Sequence, residues 1–155
     1  MENTTLHTEW AAPLAADIAA ARSRVVISSL SLQPRKRDSQ HPITQLWSAL
    51  QTASHAGARC TFILPSPSPS HPATAFNLAA AADLQAIGVH TKFAPPANLL
   101  HAKTAMIDHC VVWVGSGNWT AAASAHNREA YIRCASAQMA ASMAAHWREL
   151  FGVEN

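Results

Sequence analysis

The sequence has little charge: only 13% of its 155 residues are Asp, Glu, Lys or Arg, and the formal net charge is +2 with histidines neutral. So small a balance marks no nucleic-acid binder by bulk electrostatics, and any case for a polyanionic partner must rest on local clusters. Cysteines number three, Cys60, Cys110 and Cys134, far apart and in strand-like stretches. That pattern reads as small core hydrophobes in a reducing, cytoplasmic setting rather than as a disulfide framework or a metal site. No segment approaches the roughly eighteen uninterrupted apolar residues of a membrane span, and Met1 to Trp10 lacks the cationic start and apolar core of a secretory leader. Cys-x-x-Cys, His-Glu-x-x-His and paired-carboxylate clusters are all missing, so zinc or two-metal hydrolysis has no ligand set; no metal and no cofactor are expected. Gly115-x-Gly117 lacks the third glycine and the helical context of a dinucleotide loop.

Apolar residues, by contrast, make up 49%. A chain of this length fits one domain over residues 1–155 and buries about two thirds of its unfolded surface without staples. The thin charge leaves apolar area for a second subunit.

Periodicity supplies the elements. Trp10, Leu14, Ile18 and Ala21 recur at helical spacing, with Pro13 tolerable in a first turn, and Val25 to Leu32 reads as a buried strand. Ile43, Leu46, Trp47 and Leu50 form the next helical stripe, which Gly57 stops before the strand Arg59 to Leu64; this βαβ unit predicts parallel strands. Pro65 to Pro72 is a stiff, solvated connection. Phe76, Ala80, Leu84 and Ile87 lie on a third helix, followed by a short strand from Val89 to Ala94. His101 to Ile107 and Cys110 to Val114 are strands joined by a hairpin-like turn at Asp108-His109, Glu129 to Cys134 is a further strand, and Met139, Met143, Trp147 and Leu150 mark a closing amphipathic helix. The order predicts an α/β fold with a mixed, mostly parallel β-sheet and helices on both faces.

Chemistry concentrates between residues 101 and 129. His101 and Lys103, two apart on a strand, share a face, and Ser116 and Asn118 can join them from the neighbouring strand and its exit. An imidazole, an ammonium and an amide donor converging in this way suit a phosphodiester, whose oxygens gain charge in the transition state. Parity separates the carboxylates. Asp108 is seven residues from His101, on the opposite face of an unbroken strand and about 23 Å along it, so a structural role in the turn is expected. Glu129 stands in the position of the glutamate in the family signature named below, and that resemblance makes it the better candidate to accept a proton from the histidine's second nitrogen and fix its tautomer. Arg35, Lys36 and Arg37, in the loop after the first strand, are placed to hold flanking phosphates, an affinity that would be modest and salt-sensitive.

The spacing His101-x-Lys103-x4-Asp108, then Gly115-Ser116-Gly117-Asn118 and Asn127-x-Glu129, resembles the signature of the phospholipase D superfamily. The motif occurs once. The resemblance covers in detail roughly residues 99–134 and implies a phospholipase D-like half-unit in which His101 attacks phosphorus to give a phosphohistidine, Lys103 and Asn118 bind the phosphoryl oxygens, and Asp108, Gly115, Gly117 and Asn127 shape the motif. A poor alkoxide leaving group needs a proton from a second imidazole, and resemblance to single-motif members implies a homodimer with one His101 from each chain. His109 lies too far along the strand to substitute. A chain this short resembles the family's bacterial nucleases more than its lipases, which implies an endonuclease acting on DNA or RNA. The alternatives are a phospholipid hydrolase or transphosphatidylase, for which no basic amphipathic helix or lid-sized insertion is present, and a non-hydrolytic binding module.

Overall fold

Val25, Val26 and Ile27 have no exposed surface. Three consecutive β-branched side chains can all be buried only in an inner strand covered on both faces. In the computed structural model, which describes residues 3–34, 37–97 and 99–152, they lie in β2 (Arg24–Ser28). Around it stand β1 (Asn3–His7), β3 (Arg59–Leu64), β4 (His90–Phe93), β5 (Thr104–Ile107), β6 (Val111–Gly115) and β7 (Tyr131–Ala135), in the spatial order β1-β7-β6-β5-β2-β3-β4. β2 and β3 pair in parallel, as the βαβ spacing predicts, and so do β3 and β4. The other four ladders are antiparallel. The sheet is therefore mixed, as predicted. Only β5 and β7 run against the rest, yet parallel pairing is confined to the β2-β3-β4 side.

The strand alternation sorts side chains into two layers. On one face α1 (Ala11–Ala19), α2 (Pro42–His55), α3 (Thr74–Ala86) and the short α4 (Ala121–Ala125) pack Leu14, Ile18, Leu46, Trp47 and Leu84 against Val25, Ile27, Ala105, Trp113 and Tyr131. On the other, α5 (Ala137–Phe151) sets Ala140, Ala144 and Trp147 on Val26, Ile63, Met106 and Val112.

Several expectations shift in detail. The first buried strand ends at Ser28 rather than Leu32, which makes only a lone bridge to Trp119. The motif strand begins at Thr104, not His101; the Lys103 carbonyl still accepts from the Gly115 N–H, but β6 offers no rung beyond it. Glu129 precedes β7, because its carboxylate is drawn to Ser116 and Asn127. Met139 and Leu150 are 44% exposed each, and the buried row of α5 is Ala140, Ala144 and Trp147, in which the two alanines let the helix lie close to the sheet. Cys60 and Cys134 are buried, but Cys110 is exposed at the hairpin. β1 and α4 have no counterpart in the sequence reading. Among the described residues, no helix is long and apolar enough to cross a membrane.

The β5–β6 hairpin closes through the Cys110 N–H on the Ile107 carbonyl at 3.1 Å, with Asp108 (φ 49°) and His109 (φ 56°) both in the left-handed region, the pattern of a type I′ turn. Strain at two non-glycine positions is offset from outside the turn. The Asp108 carboxylate accepts from the N–H groups of Arg22 (2.7 Å), Ser23 (2.8 Å) and Arg24 (2.9 Å) and from Ser23 Oγ (2.9 Å). Burial works to raise its pKa, but these donors outweigh burial and hold the carboxyl below its usual range.

Candidate active site

The site lies at the end of the sheet opposite the Asp108 turn. Extending the β2–β5 and β5–β6 ladders by one residue aligns Ser29, Lys103, Gly115 and Tyr131 across four neighbouring strands. Paired residues share a face, so Lys103 points to the side where Ala105 and Trp113 are buried. It is only 5% exposed. Its Nζ donates to the His101 carbonyl at 2.7 Å and stands 3.0 Å from Nδ1 and 3.3 Å from Nε2 of the same residue's ring. Burial lowers the Lys103 pKa, and the negative charge of Glu129 works in the opposite direction. A desolvated ammonium therefore sits against an exposed imidazole.

Room for this arrangement comes from Gly115 and Tyr131. Tyr131, 2% exposed, stacks on Trp10 with ring centroids 4.6 Å apart and donates its hydroxyl to the Gly117 carbonyl. A Cβ on Gly115 would fall within the Tyr131 ring, and one on Gly117 would crowd Trp10 and Tyr131 at 3.1 to 3.2 Å. These glycines answer a need for space, since neither has a positive φ. Burial, reinforced by the Glu129 charge, pushes the Tyr131 phenol well above its ordinary pKa, so it remains a donor.

Asn118 is oriented by what its oxygen accepts. The Ser31 N–H, 3.3 Å away, can only donate, so the atom facing it is Oδ1, which also accepts from Ser29 Oγ at 3.3 Å. The amide NH2 is thereby left as the outward end. Ser29, fully buried, also accepts from the Trp119 N–H and donates to the Ser31 carbonyl. Asn77, 3% exposed, holds the same loop by accepting from the Leu32 N–H and donating to the Leu30 carbonyl. Thr120 caps α4 through the Ala123 N–H.

Glu129 accepts from Ser116 Oγ (2.5 Å) and Asn127 Nδ2 (3.0 Å), and Ser116 Oγ also accepts from the Ala130 N–H at 3.2 Å. The ring of His101, among the described residues, is hydrogen-bonded to Lys103 and not to Glu129. The carboxylate thus meets its neighbours through its charge, which works to raise the Lys103 pKa, and through Ser116. Arg37 is exposed in the loop after β2, while Arg35 and Lys36 lie outside the described residues. Among the described residues, no group of three or more His, Cys, Asp or Glu side chains is placed to hold a metal ion. Sequence reasoning missed Ser29, Asn77, Trp10 and Tyr131 as supports of the site. The sole signal for Ser29 was a serine pair closing an otherwise apolar strand.

Comparison with known proteins places the fold. The family profile described as "Cardiolipin synthase, PLD-like domain" matches residues 14–151. Nuc of Salmonella typhimurium, a phospholipase D family member, superposes with a TM-score of 0.78 at 17% identity, covering 97% of this chain and 94% of that one. NucT of Helicobacter pylori gives 0.72 at 18% identity, over 97% and 96%. Phosphatidylserine synthase of Haemophilus influenzae gives 0.69 at 15% identity, over 95% of this chain but 36% of that one. Identities this low establish a shared fold. No curated protein sequence matches the chain.

Proposed function

The chain belongs to the family of phospholipase D-like (PLD-like) domains, and from that premise we propose that it is a metal-independent phosphodiesterase, an endonuclease cutting DNA or RNA at a site shared by two copies of one domain, residues 1–155. The observation that carries this reading is the buried Lys103 ammonium held between 3.0 and 3.3 Å from both ring nitrogens of the exposed His101. A buried cation offset only by the field of Glu129 is costly, and an arriving phosphate monoester or diester adds counter-charge. The full-length superposition on Nuc and NucT, chains of nearly the same size, supports a nuclease over a lipid enzyme.

In the mechanism, one nitrogen of His101 attacks phosphorus and forms a P–N bond as the P–O bond to the leaving group breaks. The partner subunit's His101 delivers a proton to the departing alkoxide. That imidazole, now neutral, takes a proton from water, whose oxygen attacks phosphorus and expels His101 from the phosphohistidine. Lys103 and the outward amide of Asn118 donate to the non-bridging oxygens throughout. Glu129 sustains the cationic form of Lys103 and holds Ser116 towards the substrate, and Asp108, Gly115, Gly117 and Asn127 keep the frame. Arg35, Lys36 and Arg37 hold flanking phosphates. Three free thiols, Cys60, Cys110 and Cys134, fit a reducing cytoplasm.

Purified protein presented with fluorescent single-stranded DNA, duplex DNA, RNA, bis-p-nitrophenyl phosphate and phosphatidylcholine, each with and without EDTA, tests the reading. Cleavage of nucleic acid and the aryl ester, undiminished by EDTA, is expected. Cleavage of the lipid alone, or dependence on added magnesium, would overturn it.

A further inference from the structure

Four of the chain's 11 lysines and arginines meet in one place. Strand alternation sends Arg24 to the face of Val26, Arg59 to the face of Ile63, and His90 and Lys92 to the face of Ala94, which is the side that α5 covers. The ladders set them side by side: Arg24 pairs with Arg59, Thr61 with His90, and Ile63 with Lys92. Arg148 joins them from the last turn of α5. Burial first, then Arg59, then Arg148 hold the Arg24 guanidinium below its ordinary pKa. Lys92 Nζ donates to the Gly152 carbonyl at 2.7 Å and ties the end of α5 to β4. These walls enclose an open groove of about 450 Å³, lined by Arg24, Arg59, Thr61, His90, Lys92 and Gly152. It is separate from the site at His101: Arg24 begins β2 about 17 Å along the strand from the Ser29–Lys103 rung, and Lys92 stands three strands, about 14 Å, to the side of β5.

Like charges directly opposite one another on neighbouring strands are destabilising. Among the described residues the one salt bridge is Arg133 with Asp17, on the other face of the sheet, so no carboxylate there pairs with Arg59, Lys92 or Arg148. Asp108, which reaches this end of β2, has its carboxylate taken by the N–H groups of Arg22, Ser23 and Arg24. Glu149 follows Arg148 directly on α5, a spacing at which helical side chains do not face each other. A sparsely charged chain that gathers cations at a cost to its own stability points to a ligand that offsets the cost. The donors name its chemistry. Arginine presents a planar fork that matches phosphate oxygens two at a time, while Lys92, His90 and Thr61 offer single donors. Arg59 and Ile63, the partner of Lys92, lie about 13 Å apart along β3, a span that suits two or more linked phosphates rather than one.

We propose that the groove between β2, β3, β4 and the end of α5 is a second anion site, which takes two or more linked phosphates on Arg59, Lys92 and Arg148, with Arg24 as its floor and His90 and Thr61 as added donors. A concave groove fits a chain of phosphates better than it fits the flat surface of a membrane. Two sources share this chemistry: the backbone of a nucleic-acid strand running past the point of cleavage, and a free ligand such as a nucleoside diphosphate or triphosphate. The site stands independently of the shared-site reading above, since no residue of the groove belongs to the machinery around His101.

The test compares wild type with the double variant Arg59→Gln/Arg148→Gln, both at exposed positions, in phosphate-free buffer. The probes are pyrophosphate, a short cleavage-resistant phosphorothioate single strand and phosphatidylglycerol vesicles, read by titration calorimetry and thermal melting, with cleavage of bis-p-nitrophenyl phosphate measured alongside. Wild type is expected to bind pyrophosphate at one site per chain more than the variant, whose affinity there falls by about tenfold or more. Without ligand the variant is expected to melt no lower than wild type, because like charges have been removed. With pyrophosphate, wild type should gain the more. Cleavage of the aryl ester should be unchanged, which shows the catalytic end intact. If the variant also binds the single strand more weakly and with a shallower salt dependence, a strand is the source; if only pyrophosphate binding is lost, a free phosphate ligand is. Equal pyrophosphate binding by both proteins overturns the site. Binding to the vesicles alone overturns it too, and makes the face a membrane contact. Should the double variant fail to fold, Arg59→Gln alone gives the same comparison.

Discussion

Replacing Lys103 by methionine separates a cation held for chemistry from one held for the fold. The side chain is 5% exposed, and the contacts of its Nζ all go to His101, a residue at the surface. Methionine keeps the length of the apolar stem, so little packing is lost. Removing a buried ammonium relieves a desolvation penalty of several kcal/mol per ion, and losing its hydrogen bond to the His101 carbonyl costs about 1.5 to 3 kcal/mol. The two nearly cancel, and the expected change in stability lies between about −1 and +2 kcal/mol; each kcal/mol is worth about 2 to 4 °C of melting temperature in a chain of this size. A lysine that anchored the fold through a buried ion pair would instead cost about 3 to 5 kcal/mol. The pH dependence has a definite sign. Burial lowers the Lys103 pKa in the folded state, so the unfolded chain binds that proton more tightly, the penalty is fully present below the folded-state pKa, and it fades as pH rises towards the ordinary lysine value. Lys103→Met should therefore gain most, relative to wild type, at neutral pH. Activity moves the other way: kcat should fall by about two to three orders of magnitude, as for the loss of an oxyanion donor. Melting curves at several pH values, together with kcat on bis-p-nitrophenyl phosphate, check both halves. A variant destabilised by more than about 3 kcal/mol that retains wild-type kcat would refute the assignment.

Asp108→Asn should leave kcat nearly unchanged and cost about 1 to 3 kcal/mol, because an amide turns a donor towards backbone N–H groups that now meet carboxylate oxygens. Since the Asp108 pKa is depressed, the wild-type advantage should be complete above the ordinary carboxylate pKa and vanish as pH falls through the folded-state value; chemical denaturation of both proteins across acid pH reads it directly. Gly115→Ala should lower stability by about 1 to 3 kcal/mol or more, because the added Cβ meets the rigid Tyr131 ring, and calorimetry would show it. Glu129→Gln keeps the acceptor for Ser116 but removes the charge acting on Lys103, so kcat should fall with little change in melting temperature, and the alkaline limb of its pH profile should move to lower pH. Unchanged kcat in that variant would count against a role for the carboxylate's field.

How much of this was legible depended on whether a residue's neighbours are close in sequence. The β2–α2–β3 unit was plain from Gly57 and from apolar runs of the right length, and β3 falls on the residues named in advance, Arg59–Leu64. His101 and Lys103 were legible as neighbours because they stand two residues apart, and Lys103 Nζ does reach the His101 ring although both precede β5. What escaped was long-range. β1 consists of Asn-Thr-Thr-Leu-His, without the alternation of a half-buried strand, and exists because β7 pairs with it. Tyr131 lies only two residues from Glu129, yet its importance comes from Trp10 at the other end of the chain and from the missing Cβ of Gly115.

The α5 helix shows how a period can be right and its face right only in part. Large residues at 139, 143, 147 and 150 recur at helical spacing, and on that ground they would be the core stripe. The structure buries Trp147 of that stripe and half-buries Met143 against the core, and it completes the buried row with Ala140 and Ala144. A helix seated on a flat, β-branched sheet surface gains more by close approach than by large side chains that would hold it off, so the small residues turn inward. Met139 and Leu150 are then left outside. The same holds for Val114 and Ile132 beside the site. Hydrophobic periodicity reports that a surface is to be buried, but not whether the covering layer comes from the same chain. In α5 the apolar stripe and the core coincide in part, at Trp147 and at the half-buried Met143.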